Sequence, residues 1–210
     1  MFTDRTDAGR QLAARLEEQD VRADLVLAIP RGGLPVGRVV ADSLGVPLDV
    51  VAARKIGAPG NPELAIGAVG SDGGVWLNEA LIGVLGVDEA TLEERIDHER
   101  ASARATVERY RGDRTPLDLD GKRVVLVDDG AATGATTIAC LRQLGDAGVA
   151  AVVVAVPVAP AGTIEKLERE ADAVICVETP GRFQAVGQFY DDFEQVSDEQ
   201  ATAYLATEER

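Results

Sequence analysis

Cysteine, histidine, lysine and aromatic residues are all scarce in this 210-residue chain, and each scarcity excludes something. Cys140 and Cys176 lie inside apolar segments and show no metal-ligand spacing, so a disulfide scaffold is ruled out and a reducing compartment is implied. The single histidine, His98, sits on a charged helical stretch away from every motif and reads as a surface residue; Cys140 and Trp76 read as packing. Long apolar runs are also missing. The longest, 149–160, is too short to span a bilayer, and the N-terminal Met-Phe-Thr-Asp-Arg-Thr-Asp has no apolar signal core, so a cytoplasmic protein is expected. Lysine is confined to Lys55, Lys122 and Lys166, and 36 acids against 21 bases give a formal charge of −15. Such a surface repels nucleic acid overall, and its dense carboxylates lead us to expect a halophilic, salt-adapted cytosol in which they keep the protein hydrated.

What remains, 46% hydrophobic and 27% charged residues, suits one globular domain over 1–210 with a core that needs no metal or disulfide. Residues 6–20 carry Ala8, Leu12 and Leu16 at helical spacing. An apolar run at 24–30 ends in Arg31-Gly32-Gly33, a strand and then a turn; a helix through Val36, Val39, Val40 and Leu44 comes next, then a strand at 48–54. Gly57, Pro59, Gly60, Asn61 and Pro62 should sustain neither helix nor sheet, which predicts a mobile loop over about 55–65. A hairpin is predicted around Ser71-Asp72-Gly73. Residues 88–111 form the longest helical pattern, with Leu92, Ile96, Ala103, Val107 and Tyr110 on one side. Arg100, Arg104, Arg109, Arg111 and Arg114 make a locally basic strip, diluted by Glu108 and Asp113, and no helix-turn-helix accompanies it.

Strand 123–128, a turn and helix 134–147 give the strongest βα unit, and strands 150–158 and 173–177 flank a helix at 162–170. Continuous Val-rich strands alternating with helices predict an α/β fold: a central, mainly parallel sheet with helices on both faces. Five of the eight aromatic residues (Phe183, Phe189, Tyr190, Phe193, Tyr204) fall in the last 28 positions, so the C-terminal part should form its own cluster, either a hydrophobic lid or a stacking surface for a flat ligand.

The segment VVLVDDGAATGATT, 124–137, carries the chemistry. It places Asp128 and Asp129 at the end of a buried strand and then runs through small residues into a helix. Gly130, Ala131, Ala132 and Gly134 let backbone amides approach a ligand, the helix N-terminus offers its positive dipole, and Thr133, Thr136 and Thr137 add hydroxyls. A terminal phosphate fits such a bend. Two acids beside a phosphate would repel it unless they accept hydrogen bonds from its hydroxyls or meet a metal, and a phosphorylated sugar with a vicinal diol satisfies both.

This stretch resembles the 5-phosphoribosyl 1-pyrophosphate (PRPP) motif of type I phosphoribosyltransferases: four apolar residues, two acids, and a short loop closing in Thr-Gly-x-Thr. The family usually has an aliphatic residue at the place of Gly130. The segment IPRGGLPVG, 29–37, resembles the family's pyrophosphate loop, nearest to that of xanthine-guanine phosphoribosyltransferases. The resemblance implies that Arg31 and the Gly32 and Gly33 amides hold the leaving pyrophosphate, in a turn where the family often has a strained peptide bond. It makes Lys55 a candidate second cation at the start of a mobile loop. It further implies a Mg2+ cofactor met by Asp128 and Asp129 through water or substrate, substrate contacts along 130–137 including Ala135, and a C-terminal hood over about 178–210 whose Phe183 stacks on the acceptor. Two purine-reading groups are absent: Ala132 stands for an aspartate of the 6-oxopurine enzymes, and Ala159 for a lysine. The expected activity is transfer of the phosphoribosyl group from PRPP to a nucleobase or amine, of the kind used in nucleotide salvage. The alternatives are a non-catalytic PRPP or nucleotide sensor on the same fold, or an unrelated sugar-phosphate enzyme in which Arg31 lies far from Asp128 and Asp129. A homodimer is one assembly this leaves open.

Overall fold

A computed structural model describes residues 1–206 of the chain. Helix and strand alternate first: α1 (Arg5–Glu18), β1 (Leu25–Ala28), α2 (Gly33–Leu44) and β2 (Leu48–Val50). The chain then makes an excursion, in which β3 (Ala53–Ala58), β4 (Asn61–Gly70) and β5 (Val75–Leu77) lead to the short α3 (Glu79–Leu85) and the 23-residue α4 (Glu89–Arg111). It returns through β6 (Arg123–Val127), α5 (Ala135–Asp146), β7 (Ala151–Val158), α6 (Ala161–Leu167) and β8 (Ala173–Glu178). A 3-10 turn at Val186–Phe189 and a last helix, α7 (Asp198–Leu205), complete it.

The central sheet is parallel throughout, in the order β2-β1-β6-β7-β8. Its strands are apolar on both faces because both are covered. Val26, Ala28, Val125 and Val127 pack beneath α1, α2, the end of α4 and α7, through Leu12, Leu16, Val36, Val40, Val107, Tyr110, Ala201 and Leu205. Leu25, Leu27, Val124, Leu126, Val152 and Val154 face Ile138, Leu141 and Leu144 of α5 and Leu167 of α6. Glycine sets two close crossings: a Cβ on Gly9 of α1 would lie 2.9 Å from Val39 Cβ of α2, and one on Gly37 would lie 3.0 Å from Ala28 Cβ. From β1 the chain steps to one side, to β2, and from β6 to the other, to β7 and β8. The crevice beyond the carboxyl ends of β1 and β6 is therefore a topological switch point, where open α/β sheets bind ligands.

The predicted loop at 55–61 is instead the tip of a second, antiparallel sheet, β3-β4-β5. Glycine and proline there serve as turn and bulge. Pro59-Gly60 turns the chain, with Gly60 at φ 75°, Ala58 pairs with Asn61, and the register slips on both sides of Gly57. The hairpin around 71–73 forms as expected. Gly74 brings it onto α5 so closely that a Cβ would sit 2.3 Å from the Gln143 amide nitrogen. Helix α4 joins the two sheets: Leu92 and Ile96 pack against Ile56, Ile66 and Val69, while Val107 and Tyr110 enter the main core. Among the described residues no helix is long and apolar enough to cross a membrane.

Only part of the predicted hood is a separate cluster. Phe183, Val186, Phe189, Tyr190 and Phe193 gather with Phe2 and Val158, whereas α7 returns to the main core. Residues 207–210, the end of the predicted hood, lie outside the described residues.

Candidate active site

At the switch point Ala28 pairs with Val127, and the Ile29 amide donates to the Val127 carbonyl at 2.9 Å, so the segments leaving the two strands lie side by side. Arg31-Gly32-Gly33 leaves β1 and Asp128-Asp129 leaves β6. The approach is close: a Cβ on Gly32 would stand 2.0 Å from Asp129 Oδ2, and one on Gly33 would stand 2.9 Å from the Val127 carbonyl oxygen and 3.3 Å from Asp128 Oδ1. The Pro30–Arg31 peptide bond is cis. Segments distant in sequence thus meet in one crevice, which removes the reading in which Arg31 and the acids are far apart.

Behind the acids the chain bends into α5. Gly130 (φ 159°) admits the 3-10 turn, since a Cβ there would lie 2.6 Å from Val186 Cγ1. Thr163 Oγ1 donates to the Ala132 carbonyl at 2.6 Å and the Ala131 amide to the Val158 carbonyl at 2.9 Å, bracing the bend from α6 and β7. Gly134, at φ 78°, caps α5 without a side chain of its own; the Ala135 amide donates to Thr133 Oγ1 at 3.4 Å, and the positive end of the helix dipole faces the concavity. Ala132 and Thr133 are exposed and Thr136 is half-buried at its rim; Thr137 and Ala135 are buried beneath it.

The two acids differ. Burial, and then the neighbouring Asp129 charge, push the Asp128 carboxyl well above the ordinary carboxylate range. Burial raises Asp129 too, but the hydrogen bond and charge of Arg5 oppose it. Arg5 Nε donates to Asp129 Oδ2 at 2.8 Å, with the two side chains only 12% and 14% exposed. Tyr190 Oη donates to the Asp129 carbonyl at 2.6 Å.

Two predicted residues, Arg31 and Lys55, stand otherwise than expected. The Arg31 side chain turns to Asp198 of α7 (Nη1–Oδ1 3.1 Å), a carboxylate that also accepts from Tyr110 Oη at 2.7 Å and Arg109 Nη1 at 3.2 Å. Lys55 is exposed on β3, opposite Ala68, rather than at the mouth of a loop; its strand leans on α5 through Ala53, which packs with Ala135 and Ala139. Phe183 is half-buried against Phe189, ring centroids 5.3 Å apart.

Comparison with known proteins gives the family. Residues 3–194 match the family model for the phosphoribosyl transferase domain. The chain belongs to that family. A protein of Mycobacterium tuberculosis provisionally named a phosphoribosyl transferase is 43% identical over 205 residues, covering 98% of this chain and 46% of that protein. The chain thus spans about half the length of the curated relatives it matches. The crystal structure of TT1426 from Thermus thermophilus superposes with a TM-score of 0.83 at 44% identity, over 98% of this chain and 97% of that one. A shorter match, 35% identity over 78 residues, covers 36% of this chain and 46% of the bifunctional protein PyrR of Pseudomonas paraeruginosa.

Within this phosphoribosyl transferase domain each arginine of the basic strip has a partner. Arg100 pairs with Asp97, Arg104 donates to the Ser71 carbonyl, Arg109 meets Asp198, Arg111 meets Asp49 and Arg114 donates to the Leu48 carbonyl. Arg104, Arg111 and Arg114 thereby tie α4 and the turn after it to the 71–73 hairpin and to β2. Arg5, Tyr190 and Asp198 were missed from sequence. Arg5 and Tyr190 lie 124 and 61 positions from Asp129 and carry no local signal, but Asp198 comes directly after Ser197, whose capping box with Gln200 announces a helix.

Proposed function

We propose that this domain transfers the 5-phosphoribosyl group of PRPP to a nitrogen acceptor, releasing pyrophosphate. The observation that carries the reading is the contact of the Gly32–Gly33 turn with Asp128 and Asp129 at the switch point, with the α5 bend behind them. In this arrangement the bend at 130–137 takes the 5-phosphate on backbone amides and hydroxyls, and the amides of Gly32 and Gly33 take the diphosphate. Asp128 Oδ1 accepts the Asp129 amide at 2.8 Å, and its other oxygen is assigned to a ribose hydroxyl. The bond from C1 to the diphosphate oxygen breaks, the diphosphate leaves with the electron pair, and the acceptor nitrogen bonds C1 and releases its proton. The chain's contribution is orientation and electrostatic stabilisation, without a nucleophilic side chain.

The donor set bears on magnesium. Among the described residues no group of three or more His, Cys, Asp or Glu side chains could hold a metal, and one of the two acids is paired with Arg5. Two carboxylates suit Mg2+ arriving with its phosphate ligands better than Mg2+ held by protein alone. Asp128 and Asp129 would hold it through water or substrate, and it would supply positive charge to the leaving diphosphate.

On the acceptor side the domain offers the cluster around Phe183, with the buried Ala159 and exposed Ala132 where groups that read a 6-oxopurine would stand. Hypoxanthine, guanine and xanthine are therefore disfavoured against another base or amine. The test is PRPP- and magnesium-dependent pyrophosphate release across a panel of bases and amines. Release with an acceptor other than those three purines supports the reading. The Arg31–Asp198 pair favours a second reading, a non-catalytic PRPP sensor, because it diverts the turn's cation. PRPP uptake without release for any acceptor would select it.

A further inference from the structure

The sequence presents Asp128 and Asp129 as equals, yet among the described residues only Asp129 has a cationic partner within ion-pair distance. Arg5, in the first turn of α1, binds Asp129 Oδ2 through Nε at 2.8 Å. Its Nη1 donates to the Glu194 carbonyl at 2.7 Å, and its Cζ lies 3.9 Å from the centroid of the Phe193 ring, so one planar group is gripped at three points. On the far side, Gly32 leaves no room between the turn and Asp129 Oδ2. The Asp129 backbone is held as well, by the Tyr190 hydroxyl on its carbonyl. The segment that supplies Glu194 and Phe193 is itself tied to the N-terminus, by the Phe2 amide on the Phe189 carbonyl at 2.8 Å and the Asp191 amide on the Phe2 carbonyl at 2.9 Å.

The chemistry has two consequences. The site must take a ligand with a phosphate and a diphosphate, and two unscreened carboxylates beside it would oppose that ligand. A guanidinium at 2.8 Å from one of them cancels one charge where little water reaches. A carboxylate whose rotamer is fixed by a bidentate-capable, stacked cation also needs no reordering when the ligand arrives. We propose that Arg5 is a positioning residue of the PRPP site, acting through Asp129: it fixes the orientation of that carboxylate and neutralises its charge, leaving Asp128 as the acid that meets the ligand. This rests on the PRPP reading above.

The test is a double-mutant cycle read in PRPP affinity, by calorimetry with PRPP and Mg2+, on wild type, Arg5→Met, Asp129→Asn and the double variant, each shown to be folded by circular dichroism. If Arg5 works through Asp129, Arg5→Met weakens PRPP about tenfold or more, and the double variant binds no more than about twofold worse than Asp129→Asn alone. An Arg5→Met protein binding within about twofold of wild type, or a double variant whose loss is the product of the single losses, overturns the proposal. Arg5→Lys keeps the charge without the three-point grip, so it should recover part of the affinity lost in Arg5→Met. Should Arg5→Met fail to fold, Arg5→Lys carries the test: about threefold or greater weakening against wild type supports positioning, and unchanged affinity overturns it. Wild type that takes up no PRPP refutes the PRPP reading itself, and Arg5's role with it; binding in wild type with additive losses refutes the role alone.

Discussion

Gly32→Ala adds one methyl group to the tightest contact of the site. Its carbon would stand 2.0 Å from Asp129 Oδ2 and 2.5 Å from Asp129 Cγ. The backbone is not the obstacle: Gly32 lies at φ −61°, ψ −34°, where alanine is at ease and would by itself add about 0.4–1 kcal/mol of stability. The whole cost therefore comes from the carboxylate, which can yield only by leaving Arg5 in a pair whose members are 12% and 14% exposed. Overpacking costs about 1–3 kcal/mol, and complete separation of a buried ion pair about 3–5 kcal/mol. Because the turn shares the displacement, the expected net loss is about 1–3 kcal/mol by urea denaturation. Asp129→Ala removes the clashing atoms, so Gly32→Ala in that background should cost nothing. Gly33→Ala is the control, since its methyl meets the Val127 carbonyl oxygen at 2.9 Å and Asp128 Cα at 3.0 Å, backbone that Asp129→Ala does not remove. A Gly32→Ala protein as stable as wild type, or one equally destabilised with and without the Asp129 carboxylate, refutes the reasoning.

Arg111→Met strips the partner from Asp49, whose side chain is 4% exposed and 3.0 Å from the guanidinium, and should cost about 3–5 kcal/mol in urea denaturation; a loss below about 1 kcal/mol would mean that α4 is anchored otherwise. Asp128→Asn should stabilise the ligand- and metal-free protein while weakening PRPP binding. Burial raises the Asp128 carboxyl above its ordinary 3.8, so its ionisation opposes folding as pH climbs from that value through the raised one, and the gain in Tm should be present at neutral pH and vanish below about pH 4. Scanning calorimetry across that range checks it, and a gain independent of pH contradicts it. Asp198→Asn releases Arg31 from the carboxylate it shares with Arg109 and Tyr110, and should tighten inorganic pyrophosphate about two- to fivefold; unchanged or weaker binding would show that the pair orients Arg31 instead of competing for it.

The parallel sheet and the bend after β6 were legible because each is a local pattern: buried strands read as continuous valine runs, and the bend as acids, small residues and threonines in order. Strand β3 was not. Gly57, Pro59 and Gly60 look like a loop when read alone, and only pairing with β4, whose partners lie further along the chain, makes them bulge and turn. Helix α7 buries little more than Ala201 and Leu205, too few residues for a hydrophobic period, although its capping box was there to be read. At the site, the backbone positions of Arg31-Gly32-Gly33 and Asp128-Asp129 were set by the motifs, whereas the direction of the Arg31 side chain was not, because a distant carboxylate competes for it. Arg5 had no local signal, and only the closed fold brings it to Asp129.

Titration of the wild-type domain with PRPP and Mg2+, repeated with saturating inorganic pyrophosphate and with Asp128→Asn, tests the central claim most directly. The account predicts saturable uptake at one site per chain, displaced by pyrophosphate and strongly weakened in the variant. Absence of uptake by the folded wild-type protein, or uptake indifferent to both pyrophosphate and Asp128, would contradict it.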